Sequence, residues 1–163
     1  MTTVQYVSTQ VLPVVYALLP PQMRSANASA MLLAIGLQES RFTARRQVGG
    51  PARGFWQFEQ GGGVAGVLSH PSTKTHAATL LTTMRYSPDA SGLHAAIEHN
   101  DVLAGCFARL LLWTLPGSMP AREAANIGWN LYVSAWRPGK PHRETWDALY
   151  VQAWAAASGK EPF

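Results

Sequence analysis

Acidic residues are scarce in this sequence: nine Asp and Glu stand against thirteen Lys and Arg among 163 residues. The net charge of +4 and the pI near 9.6 therefore arise from missing carboxylates, not from a surplus of bases. Such a surface attracts polyanions, including nucleic acid, anionic lipid and wall polymers, without choosing among them. Cysteine is nearly absent. The lone Cys106 excludes an internal disulfide, so the core alone must hold the fold. It lies in the apolar run VLAGCFARLLLW with no catalytic signature around it and reads as a small buried hydrophobe. The apolar N-terminal run is broken at Gln10 and Pro13, well short of the roughly 18 residues a membrane span requires. It also lacks a basic leader and a small-residue cleavage site, so the expectation is cytoplasmic synthesis without a signal peptide and no membrane insertion. Sustained alternation of apolar and polar residues is missing too, which argues against much sheet.

What is present is a composition that folds. Apolar residues make up 47% and charged residues 13%, far from the balance of disordered chains. The length suits one domain spanning residues 1–163, expected as a monomer. Helical periodicity runs over 3–19, stopped by Pro20-Pro21, and again to Ser40 with Ser25 or Asn27 as cap. Further helices are expected over 64–69, 73–85, 92–115 (capped by Asp89 or Ser91), 120–136 and 143–157, with RPGKPH as the linker before the last. Between the second and third lies TARRQVGGPARGFWQFEQGGG, whose six glycines, one proline and three arginines read as a long irregular loop. The expected fold class is mainly α, one globular domain of about six to eight helices.

One carboxylate is out of place. MLLAIGLQESRF reads as a buried helix, yet it ends on Gln38-Glu39-Ser40. On that helix the same-face neighbours of Glu39 are Gly36, Ile35 and Leu32, none of which can pair with a charge. Desolvation and the negative end of the helix dipole both favour the neutral carboxyl, and an acid held protonated near neutral pH suits cleavage of a glycosidic bond. The plain alternative is a solvated helix-end glutamate paired with Arg41 or Arg45.

QESRF, followed after a loop by GFWQFE, resembles the first two motifs of the lysozyme-like soluble lytic transglycosylases. Glu39-Ser40-Arg41-Phe42 match the ESxF motif that carries the acid, and Gly54-Phe55-Trp56-Gln57 match GLMQ with two bulky substitutions. GWNLY resembles the third motif, AYNAG: Trp129 stands at its tyrosine and Asn130 at its asparagine, while Leu131 and Tyr132 depart from Ala-Gly. Of the late ETRxY only Glu144-Thr145 is present; its tyrosine falls on Ala148, with Tyr150 as a substitute nearby.

The resemblance implies a lysozyme-like fold with a substrate cleft, acting on peptidoglycan. Glu39 would be general acid and then base at the bond between N-acetylmuramic acid and N-acetylglucosamine, the muramic acid's own hydroxyl closing an anhydro ring. It further implies that Ser40 supports the acid and that Gln57 and Asn130 hydrogen-bond the sugar or the glutamate. Independently of the resemblance, Trp56, Trp129, Tyr132 and Trp136 are candidate flat walls for sugar rings; Trp129, Tyr132 and Trp136 recur at helical spacing, so at least one or two must pack inward, and Trp56 and Tyr132 are the expected platforms. A conventional glycosidase uses two carboxylates. Between Ser40 and Phe58 there is none, where the goose-type lysozymes, hydrolytic relatives, place their second acids, so a single-acid mechanism is expected, with hydrolysis through Glu59 the alternative.

Arg41, Arg45, Arg46 and Arg53 would draw the peptide carboxylates of the wall polymer, provided they point away from Glu39, whose pKa a guanidinium would lower. The histidines of HAAIEH are five apart with a misplaced glutamate, and the triple glycine lacks a Lys-Ser/Thr ending, so neither a metal nor a cofactor is expected. Two other classes stand against the enzyme: a non-catalytic lysozyme-fold module, glycan-binding or structural in a virion, and a helical nucleic-acid binder, which the clustering of arginines in a loop disfavours. Small size without an export signal points to a phage or prophage protein, virion-associated or delivered to the cell wall from inside.

Overall fold

The computed structural model describes residues 1–159, and its regular structure is helical, as expected. α1 (Thr3–Tyr6) opens on a reciprocal capping box between Thr2 and Gln5. A π-helical turn, Val7–Val11, separates it from α2 (Leu12–Leu18). Pro13 brings no amide to the ladder, and the neighbouring Leu12 N–H reaches back five residues to Val7, so the expected single helix 3–19 is interrupted.

α3 (Ala26–Ser40) is capped by the Ser25 hydroxyl, which accepts from the Ala28 amide. Ala30 to Leu37 are all buried, so this helix is surrounded by protein. It packs along α9 (Arg143–Ala157) and touches α7 (Asp101–Trp113). It ends where Arg41 and Phe42 both take left-handed backbone angles, φ 55° and 53°. That reversal returns the Phe42 ring onto Gly36, where a Cβ would lie 2.2 Å from the ring.

The long loop that follows is irregular yet tied down. Isolated bridges pair Arg46 with Arg53 and Arg53 with Phe58. Arg45 binds Asp101 at 2.7 Å, while Arg46 and Arg53 share Glu98 at 2.9 and 3.1 Å. The triple glycine belongs not to this loop but to a second π turn, Gln60–Val64, leading into α4 (Ala65–Ser69).

α5 (Lys74–Met84) precedes α6 (Ala90–His99), which is capped by Asp89. The helix expected over 92–115 is two: Asn100 is extended, ends α6, and caps α7 by accepting from the Leu103 amide at 3.0 Å. α8 (Ala125–Trp136) starts five residues later than expected, beyond Pro120. One hydrophobic core joins all these helices, and Cys106 lies in it, its thiol pushed up to about 12 by burial. Among the described residues no helix is long and apolar enough to cross a membrane.

Candidate active site

α3 carries Glu39 out of the core and releases it at the edge of a cleft of about 1180 Å³. Burial raises its carboxyl from 4.5 to about 7, the negative charge of Glu59 adds to this, and a hydrogen bond from Tyr132 opposes it. The Tyr132 hydroxyl donates to Oε1 at 2.6 Å. No cation is among the causes of the shift. Arg41 turns its guanidinium back onto the Leu37 carbonyl at 2.7 Å, and the other three arginines are engaged with Asp101 and Glu98. The arginines thus leave the acid alone, but they are not free to attract a substrate either.

The residues singled out from the sequence divide into two groups. Gln57 and Tyr132 line the cleft with Glu39. Gln57 holds a left-handed turn, φ 49°, by donating its side-chain amide to the Gly54 carbonyl at 2.8 Å. Ser40 does not face the cleft. Its hydroxyl donates to the Phe55 carbonyl at 2.7 Å and accepts from the Phe42 amide at 3.1 Å, fastening the end of α3 to the second motif.

Trp56 is no sugar platform: it is fully buried, and its indole donates to the Leu32 carbonyl at 2.8 Å. Tyr132 offers no ring face either. Its ring is 3% exposed and stacks on Trp146 at 5.4 Å, so only its hydroxyl serves the site. Asn130 is solvent-exposed and outside the cleft, because two residues along a helix rotate it about 200° from Tyr132. Tyr150 does not reach the acid, since its hydroxyl donates to the Ala121 carbonyl at 2.8 Å.

Further residues line the cleft, and of these Gln38, Arg137 and Lys140 escape a sequence reading. Trp136, partly buried, supplies the aromatic wall beside Phe58, and its indole donates to the Trp56 carbonyl at 2.8 Å, tying the end of α8 to the second motif. Gln38 accepts from Thr145 at 3.0 Å and donates to the His142 carbonyl at 3.0 Å, which brings the surviving part of the late motif beside the acid. Arg137 and Lys140 come from RPGKPH, a segment that reads only as a linker. Glu59 is exposed and lines the same cleft, so two carboxylates face one space. Gly61 and Gly66 also line it, and a Cβ on either would meet nothing within 4 Å.

The two histidines of HAAIEH do not converge: His94 bonds the Phe58 carbonyl at 3.0 Å, while His99 lies 3.8 Å from Glu98. Among the described residues no group of His, Cys, Asp or Glu could hold a metal ion. Chemically, the arrangement offers one desolvated acid able to give and retake a proton near neutral pH, backed by a phenol donor and fronted by open volume. Compared with family models, with curated proteins and with solved structures, the chain matches none of them.

Proposed function

We propose that this chain cleaves peptidoglycan at the bond between N-acetylmuramic acid and N-acetylglucosamine, as a lytic transglycosylase of lysozyme-like type with Glu39 as its single general acid and base. The observation that supports it most is a carboxyl held protonated to about 7, without a cation partner, at the edge of a 1180 Å³ cleft. Glu39 gives its proton to the glycosidic oxygen as the bond to the anomeric carbon breaks. Its carboxylate, with the Tyr132 hydroxyl on Oε1, then takes the proton of the muramic acid's primary hydroxyl as that oxygen closes on the anomeric carbon. An anhydro sugar leaves and the acid is restored. Delivery to the wall in a phage or prophage lysis or entry step belongs to the same proposal.

Digestion of purified sacculi tests this. Soluble fragments released by the wild-type chain and absent with Glu39→Gln are expected; full activity in that variant would remove Glu39 from its role. A second reading, hydrolysis, is favoured by Glu59, which shares the cleft and whose charge acts on Glu39. In it Glu59 assists a water that attacks in place of the hydroxyl. The fragment mass separates the two, because hydrolysed ends are heavier by one water. Retention on sacculi with no fragments would mark a binding module instead.

A further inference from the structure

The four arginines next to the acid motif are occupied: Arg45 by Asp101, Arg46 and Arg53 by Glu98, Arg41 by a backbone carbonyl. Two bases in the cleft are not. Arg137 and Lys140 line it from the turn after α8, and among the described residues neither side chain has an ion-pair or hydrogen-bond partner. Glu59, the exposed carboxylate of the same cleft, pairs with neither, and His142 is engaged with Glu144 at 3.0 Å. The turn is stiff. Pro138 and Pro141 limit its backbone, and Arg137 is held at φ 49°, a conformation unfavourable for any residue with a Cβ. Neither base is among the causes of the Glu39 shift, so neither favours the loss of its proton.

A polysaccharide of neutral sugars gives such cations nothing to bind. A wall glycan does, because its peptide stems carry free carboxylates. Resting on the function proposed above, we infer that Arg137 and Lys140 form an anion subsite for the stem carboxylates, which makes the chain select stem-bearing strands over neutral ones. The subsite also accounts for the unpaired state of the two side chains, since a pre-existing ion pair would have to break on binding.

Co-sedimentation tests this with the Glu39→Gln chain, so that nothing is cut, on native sacculi and on sacculi whose free carboxylates have been converted to amides. Retention should be ~5-fold stronger on native sacculi, the scale expected of two partly exposed charge pairs. Arg137→Gln/Lys140→Gln should abolish that difference without moving the melting temperature, whereas Arg85→Gln/Arg122→Gln, which removes two exposed bases outside the cleft, should preserve it. Equal retention on the two sacculi, no retention on either, or a preference that survives in the Arg137/Lys140 variant overturns the subsite. Fragment release by the wild-type chain is scored separately. Cutting without preference refutes the subsite and leaves the enzyme, while preference without cutting refutes the enzyme and leaves the subsite.

Discussion

At the residue scale the site turns on opposing influences on one carboxyl. Burial and the Glu59 charge raise Glu39, and the Tyr132 hydrogen bond lowers it. Removing the two neighbours should therefore move the alkaline limb of the cutting rate in opposite directions. Tyr132→Phe deletes the donor to the charged form, so Glu39 holds its proton to higher pH and the limb shifts upward; under the proposed mechanism the maximal rate also falls, because the carboxylate that would act as base loses its support. Glu59→Gln deletes a negative neighbour, so the limb shifts downward. Profiles of kcat/KM against pH for the two variants check both signs. If Glu59 were the second catalytic carboxylate of a hydrolase, its loss would abolish turnover instead of displacing the profile.

At the element scale, the reversal at the end of α3 does most to place the acid. Phe42 folds back onto Gly36 and packs edge-on against Phe55 and Trp56, with ring centroids 5.3 and 5.7 Å away. Gly36→Ala would put a Cβ 2.2 Å from that ring, so it should cost about 1–3 kcal/mol by overpacking and lower activity through the displaced Ser40 and Glu39. Gly66 poses the reverse case. It lies within α4 at a helical backbone angle, and an added methyl meets open cleft. Gly66→Ala should gain about 0.5–1 kcal/mol in thermal unfolding, yet slow cutting by narrowing the groove. Opposite signs of stability and activity in one variant would identify the bare backbone there as a feature of the site, not of the fold.

For the whole molecule, the raised carboxyl is a stability liability with a defined pH window. Below the ordinary value of 4.5 both folded and unfolded chains carry the proton; between 4.5 and about 7 the unfolded chain releases it while the folded chain keeps it. Stability therefore falls as pH rises through that window, by on the order of 3 kcal/mol at most. Glu39→Gln has no such group to titrate. Its melting temperature should exceed that of the wild type by several degrees at pH 8 and match it near pH 4. A constant offset across pH would contradict the burial of this acid. Screening by salt should not remove the difference, since desolvation and not a surface pair is its chief cause.

Local chemistry was readable without coordinates. Helical periodicity located α3, α5 and α9, each N-cap was narrowed to a pair that held the right residue, Ser25 or Asn27 and Asp89 or Ser91, and the apolar neighbours of Glu39 argued for its desolvation against a solvated helix end. Boundaries that depend on one backbone rotation were not legible: Asn100 breaks a continuous apolar pattern because its side chain caps the next helix. Which face of an element meets the cleft was equally hidden. Trp56 went inward to the Leu32 carbonyl and Asn130 outward to solvent, while Arg137 and Lys140 came in from a segment with no signature. Sequence alone determined an acid in apolar surroundings at a helix end, because a helix sets its own neighbours three and four residues away. Only the tertiary structure decided that Tyr132 donates to that acid, that Glu59 shares its cleft and that Arg45, Arg46 and Arg53 are occupied elsewhere, because those contacts join residues from 20 to 93 positions apart, and nothing local specifies them.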